Sequence, residues 1–314
     1  MSSITPATPV AAATPAGPAT SPGLNTKLLW CLALVYVIWG STYLAIKVAI
    51  AGLPPFLLAA TRYATAGVLL FALMRFKGAP WPSWRQWRNA LAMGFLMVSV
   101  GNGFVCLAVG HISSSAAAVI YACGPMFALV FDRLRGGRAL AVEWLGVGLG
   151  IAGVLLIHAD KALQANWFGS IAVLLACAGM SLAVVLQPRL DLPRGGLSAP
   201  AQMLGGALCL VPMALAKGET WPASVPPSAW LAFAYLVVFG SMVAYSAYVY
   251  ILHHASAGLA TSNEYVNALV AMLLGYWLAG EAIGTPMLAG TVVILGGVGL
   301  IAWGHARRAA GLAV

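Results

Sequence analysis

The chain has 314 residues, with 16 Lys or Arg and 7 Asp or Glu, so that charged side chains make up 7% of it. A soluble domain carries about 25%. Hydrophobic residues account for 61% and glycine for another 35 positions, which leaves too little polar surface to keep a folded chain dissolved. This composition excludes a soluble enzyme, a nucleic-acid-binding protein and a disordered scaffold, and leaves a polytopic membrane protein. The net charge of +9 sits in short loops between apolar runs, which reads as topology rather than phosphate binding. Five cysteines, Cys31, Cys106, Cys123, Cys177 and Cys209, all fall inside apolar segments; an odd count placed there reads as packing, not as a disulfide framework.

In chain order, residues 1–26 are rich in Ala, Pro, Thr and Ser and carry no charge, which predicts a disordered tail. No basic n-region marks a signal peptide. A spanning helix needs roughly 20 apolar residues, and the sequence offers ten such spans: 28–50, 55–75, 89–109, 113–131, 142–159, 168–187, 198–216, 229–251, 256–279 and 286–304. With the N-terminus in the cytoplasm, 12 of the 16 basic residues collect on the cytoplasmic side, against Lys47, Lys161 and Lys217 opposite, with Arg62 inside a span. That positive-inside bias supports ten spans with both termini cytoplasmic.

The two halves resemble each other. Gly146, Gly153, Val154, Leu156 and Ile157 recur 144 residues later as Gly290, Gly297, Val298, Leu300 and Ile301. His111, Ser113, Ala117 and Ala128 recur at an offset of 143 as His254, Ser256, Ala260 and Ala271. Five spans per half is an odd number, so the second half must sit upside down relative to the first. The expected fold is an all-α integral membrane protein with ten transmembrane helices in two inverted five-helix repeats, 27–160 and 161–304, followed by a cytoplasmic tail at 305–314. Inverted repeats of this kind are a transporter architecture, with the site near the midplane at the repeat interface.

Several segments carry a resemblance to a known family. Tyr36-Val-Ile-Trp39-Gly40-Ser41-Thr42-Tyr43, Thr61-Arg62-Tyr63, Val100-Gly-Asn102-Gly103, Glu143-Trp144-Leu-Gly146, the run Thr261 to Val270, and Ala279-Gly280-Glu281 stand in the order and spacing of EamA-type proteins. The chain resembles this branch of the drug/metabolite transporter superfamily over roughly residues 28–304, and within it the YedA-like inner-membrane exporters. The resemblance implies efflux of small metabolites, amino acids or drugs across a bacterial inner membrane. Two positions depart from the family pattern: Ala268 stands where Pro is usual, and Glu264 where an aromatic or small residue is usual. Substrate and coupling are therefore not carried over.

Only two ionised side chains, Arg62 and Glu264, lie well inside predicted spans. A charge near the centre of a membrane helix costs about 2.5–3.5 kcal/mol on insertion scales, which makes each a functional candidate. Glu264 shares a helix face with Ala257, Ala260, Thr261, Asn267, Ala268 and Ala271, a small and polar stripe suited to the bundle interior. It reads either as a proton-coupling site (or counter-charge for an amine) or as a protonated packing carboxyl. Arg62 reads either as a bidentate grip on a carboxylate or phosphate or as a structural tie. Counting depth along the helices separates the two by ~8 Å along the membrane normal, too far to clamp both ends of one amino acid backbone without tilt or helix breaks.

Trp39, Asn102, Tyr121, Tyr245 and Asn267 lie at matching depths and are expected to line the substrate pathway; Tyr121 is the repeat equivalent of Glu264. Aromatic walls suit apolar or cationic substrates. Trp81, Trp84, Trp87 and Trp221 read as an interfacial belt. His111, His253 and His254 sit in turns without metal-ligand spacing and read as loop caps, so no metal site is expected. Glu143 and Glu281 stand at span ends, where solvation or pairing with loop charges is expected. The glycines of spans five and ten allow close helix approach, either between the repeats or across a homodimer.

The sequence has no phosphate-binding loop for nucleotide, which excludes direct ATP drive by this chain. No catalytic constellation and no cofactor are expected. Asp132, Asp160 and Asp191 lie in or beside loops, which weakens an intramembrane aspartyl enzyme. The functional expectation is a secondary transporter, proton-coupled through Glu264 and embedded in the lipid bilayer, exporting a small-molecule substrate by alternating access. An uncoupled facilitator or channel is the alternative.

Overall fold

The structure is a computed structural model that describes residues 26–159, 166–194, 196–255 and 262–309; the predicted tail lies outside these, except Thr26, which already opens a helix. Among the described residues, ten helices cross the molecule: α1 (Thr26–Ile50), α2 (Pro55–Phe76), α3 (Trp84–Val109), α4 (Ser114–Leu134), α5 (Ala141–His158), α6 (Trp167–Arg189), α7 (Ser198–Ala216), α8 (Pro227–Tyr235, Leu236–Val243 and Ala244–His254 in one run), α9 (Asn263–Ala279) and α10 (Thr285–Ala309). Among the described residues, nine are long and apolar enough to cross a membrane by themselves. The described part of α9 has 17 residues, and its predicted first turns, 256–261, lie outside the described residues.

Local chemistry sets the helix ends. Pro55 opens α2 and Pro227 opens α8, at the first helical position where a missing N–H costs nothing. Ser83 and Gln86 bond each other's backbone N–H in a capping box before α3, and Ser113 Oγ accepts from Ala116 N–H before α4. Gly280 closes α9 at φ +61°, a left-handed conformation that favours glycine.

The packing map carries the repeat. α1 packs on α9 and α8, and its counterpart α6 packs on α4 and α3. The pairs α2–α7, α5–α10 and α4–α9 each join a helix to its own counterpart. Exchanging the first five helices for the second five leaves this set of contacts unchanged, as two inverted repeats require. Both α3 and α8 also carry a π-helical stretch, Phe95–Gly103 and Leu236–Val243, and α4 is interrupted at Ala122–Cys123 ahead of Pro125. Irregular turns of this kind gather at functional sites.

Polar ties at the helix ends agree with the alternation. On the basic face, Arg308 at the end of α10 reaches Glu143 at the start of α5, and Asn89 of α3 donates to the carbonyl of Asp191 beyond α6. On the opposite face, Glu219 accepts from the Phe56 and Leu57 N–H groups of α2. Large apolar side chains such as Val68, Leu208, Leu231 and Val292 are exposed, as a lipid-facing perimeter requires.

The glycines of α5 and α10 meet inside the chain. A Cβ on Gly153 would lie 2.8 Å from the Gly290 carbonyl oxygen, and a Cβ on Gly290 the same distance from that of Gly153. Gly146 and Gly297 oppose each other in the same way. This small-residue face is therefore used between the repeats, and a homodimer through helices five and ten would have to use their outward sides.

Candidate functional site

Where the repeats meet, α1, α2, α3, α4, α6, α8 and α9 enclose a central cavity of about 70 Å³. All seven residues singled out in the sequence line it: Trp39, Arg62, Asn102, Tyr121, Tyr245, Glu264 and Asn267. Residues the sequence reading passed over join them, among them Tyr43, Tyr63, Tyr248 and Asn263. A buried tyrosine and a buried packing aromatic look alike in an apolar sequence, so nothing distinguished these from ordinary core residues. Asn263 stands one position before Glu264, and its polarity inside a span was the available signal.

Arg62 comes from the middle of α2 and is 2% exposed. Its Nε–H donates to Ser241 Oγ of α8 at 2.8 Å, and its guanidinium lies 4.8 Å from the Tyr63 ring centre. The π-helical stretch of α8 makes room for it: a Cβ on Gly240 would meet Arg62 Nη2 at 2.9 Å. The Trp39 indole N–H donates to the same glycine's carbonyl at 3.1 Å. Asn102 Nδ2 donates five residues back to the Met97 carbonyl at 3.0 Å, occupying an acceptor within the π-helical stretch of α3.

Glu264 projects from α9 onto the interruption of α4. A Cβ on Gly124 would stand 2.6 Å from Glu264 Oε2, so only glycine leaves space for the carboxyl. The Gly124 carbonyl accepts from Ser181 Oγ of α6, at 2.8 Å, and the Tyr121 carbonyl from Cys177 Sγ, at 2.9 Å; the Tyr121 carbonyl is left free because Pro125, four residues on, has no N–H, and α6 supplies the donor. Tyr121 and Tyr43 meet edge to face with ring centres 6.2 Å apart.

Four buried polar atoms on this wall find no hydrogen-bond partner among the described residues: Arg62 Nη1, Asn263 Oδ1, Glu264 Oε2 and Asn267 Oδ1. Buried polar groups are nearly always satisfied, and an orphan is costly. Four around one cavity mark a surface built for a polar guest or water. Arg62 and Glu264 form no ion pair with each other among the described residues, where the three pairs are Lys47–Glu281, Lys217–Glu219 and Arg308–Glu143. The cavity thus offers a donor fork and a carboxyl separately, between aromatic walls.

The matching family is the EamA-like transporters, over residues 26–159 and 167–303. The chain belongs to the EamA-like transporter family. It is 36% identical over 278 residues to the uncharacterized inner membrane transporter YedA of Escherichia coli (strain K12), covering 86% of this chain and 91% of that one. An uncharacterized transporter of Archaeoglobus fulgidus is 26% identical, with 88% and 97% covered. A solved crystal structure at 20% identity superposes with a TM-score of 0.62 over 91% of this chain and 99% of its own, which shows a shared fold.

Outside the cavity, this EamA-like transporter buries both span-end carboxylates, for which solvation or pairing with loop charges was expected, and pairs them. Glu143 is fully buried and Glu281 is 7% exposed; their partners are Arg308 and Lys47. Among the turn histidines, His254 Nδ1 bonds the Tyr250 carbonyl at 2.9 Å and His111 packs edge-on against Phe168; the side chain of His253 lies outside the described residues. No group of three metal-ligating side chains occurs among the described residues.

Proposed function

We propose that this EamA-like transporter is a proton-coupled secondary active exporter of small amphipathic metabolites, amino acids or drugs. It works by alternating access between its two repeats in a bacterial inner membrane, with both termini in the cytoplasm. The observation that carries the reading is the Glu264 carboxyl, lining the central cavity with Oε2 unpartnered and Arg62 on the same wall. A carboxyl there takes up a proton or a cationic group in one access state and gives it up in the other. Arg62 holds an acidic group of the guest, and Trp39, Tyr121 and Tyr245 cover its apolar part. Positive charge on one face supports the orientation, and the name of the Escherichia coli relative supports the inner membrane.

Substrate flux in proteoliposomes under an imposed pH gradient tests this, with amino acids and cationic dyes as probes and wild type beside Glu264→Gln. Gradient-driven accumulation that vanishes in the variant is expected. Flux that ignores the gradient in both proteins would make the chain a facilitator and return Glu264 to packing.

A further inference from the structure

A second and far larger cavity, of about 1010 Å³, opens on the basic face between α2, α3, α6, α7 and α8, with Gln187, Asp191 and Arg194 near its mouth. Tyr245 and Tyr248 line both this vestibule and the central cavity. The contrast in size matters. A small-molecule site occupies roughly 300–1,000 Å³, and a central cavity of about 70 Å³ holds only a few waters. The vestibule can hold a metabolite in the present conformation, and the central cavity cannot.

The wall between them is small and specific. Tyr245, 5% exposed, donates its hydroxyl to Gln202 Oε1 of α7 at 3.3 Å. Gln202 is 2% exposed and its Nε2 donates to Ser198 Oγ at 2.9 Å, which fixes the amide. On α1, the Trp39 ring packs 6.5 Å from the Tyr245 ring and 4.8 Å from that of Tyr248. The two sides of this wall differ in stiffness. α7 is held against α3 at backbone distance, since a Cβ on Gly94 would collide with the Gln202 carbonyl and one on Gly205 would meet Leu91 Cα at 2.8 Å. α8 reaches Tyr245 directly after its π-helical stretch, Leu236–Val243, where the hydrogen-bond register is already displaced. A register change there would move Tyr245 and leave Gln202 in place.

We propose that the vestibule is a first binding site for substrate, and that the Tyr245–Gln202 hydrogen bond is the cytoplasmic gate between it and the Arg62–Glu264 cavity. This rests on the orientation given under the proposed function, and it makes α8 the mobile side of the gate. The substrate class follows from the mouth and the wall together: a small molecule with a polar or charged end and an apolar body that slides past tyrosine rings.

The test uses the full chain in membrane vesicles with Thr42→Cys as a reporter, because Thr42 lines the central cavity. A charged, membrane-impermeant methanethiosulfonate is added to everted and to right-side-out vesicles, and the protein without Thr42→Cys gives the native-cysteine background. Tyr245→Phe removes only the hydroxyl, and is expected to speed labelling in everted vesicles about fivefold, the worth of one hydrogen bond, without changing it in right-side-out vesicles. Gln202→Leu is expected to do the same from the α7 side, so a misfolded variant at one position leaves the other to decide. Unchanged labelling in both, or faster labelling from the outer side alone, would overturn the gate. The readout is access rather than coupling: if Tyr245→Phe speeds labelling while wild-type flux ignores a pH gradient, the gate stands and proton coupling falls.

Discussion

The Lys47 ammonium donates to Glu281 Oε1 at 2.7 Å, joining the end of α1 to the turn between α9 and α10 on the face away from the basic loops. The same carboxylate accepts from the backbone N–H groups of Ser114 and Ser115, at 2.9 and 3.0 Å, and from both serine hydroxyls. One side chain therefore caps α4 and fastens three elements, and the charge at a helix N-terminus is favourable in its own right. Burial alone raises the Glu281 pKa, but the bonds from Lys47, Ser115 and Ser114 more than offset it and hold the carboxyl at about 2.

A depressed carboxyl pKa stabilises the folded state above the ordinary value and ceases to do so as pH falls through the folded value. For Glu281 the window runs from the ordinary 4.5 down to about 2. The expected outcome is a lower thermal midpoint for Glu281→Gln than for wild type in detergent at pH 7, with the gap narrowing as pH drops below about 4.5. A constant gap across that range would show that the carboxylate charge contributes nothing.

Arg62→Lys keeps the charge and loses the planar fork. Nε is the atom bonded to Ser241 Oγ and Nη1 is the one left without a partner among the described residues, and a single ammonium cannot serve both. The half-saturation concentration for an acidic substrate is expected to rise about tenfold, the lower end for a hydrogen bond to a charged group, with little loss of folded protein on size exclusion. An unchanged value would assign Arg62 to packing.

Depth was legible in the sequence, and neighbourhood was not. Counting along each span placed Trp39, Tyr121, Glu264 and Asn267 at similar heights, and the 143-residue offset from Tyr121 to Glu264 pointed both toward the same centre. Both line the cavity. Rotation about the helix axis was hidden, because these helices are apolar all round and lack the stripe that orients a helix in water. Tyr43 and Tyr63 were passed over for that reason. The carboxylates at span ends were legible in part: of solvation and pairing with loop charges the structure shows pairing, of Glu143 with Arg308 and of Glu281 with Lys47, but their burial was hidden because it depends on helices distant in sequence. The π-helical stretches of α3 and α8 and the break in α4 leave no more than Gly-rich and Pro-containing hints in the sequence.

The α5–α10 contact gives a test of packing. Gly153 faces the Gly290 carbonyl and Ile294, leaving no volume for a side chain. Gly153→Leu is expected to cost about 1–3 kcal/mol or more through overpacking, seen as a lower thermal midpoint in detergent. Gly148, which has nothing within 4 Å of an added Cβ, is the control: Gly148→Leu is expected to leave the midpoint nearly unchanged. Equal effects at the two positions would show that the interface tolerates separation.

The last prediction concerns the tie between the start of α5 and the end of α10, the closing helices of the two repeats. Arg308 Nη2 donates to Glu143 Oε1 at 2.7 Å, while Glu143 Oε2 accepts from Leu140 N–H at 2.6 Å. The Glu143 side chain is fully buried, and the Arg308 side chain is 19% exposed. Removing one partner of a buried pair strands the other charge, a loss of about 3–5 kcal/mol, whereas replacing both by neutral groups of similar volume is often nearly neutral. Arg308→Met is therefore expected to destabilise strongly, and Glu143→Gln with Arg308→Met to recover most of the loss. The four proteins form a double-mutant cycle read by detergent unfolding at one temperature. Coupling above about 0.5 kcal/mol would confirm that the charges act as a unit, and additive effects would reduce the pair to two separate contacts at the ends of α5 and α10.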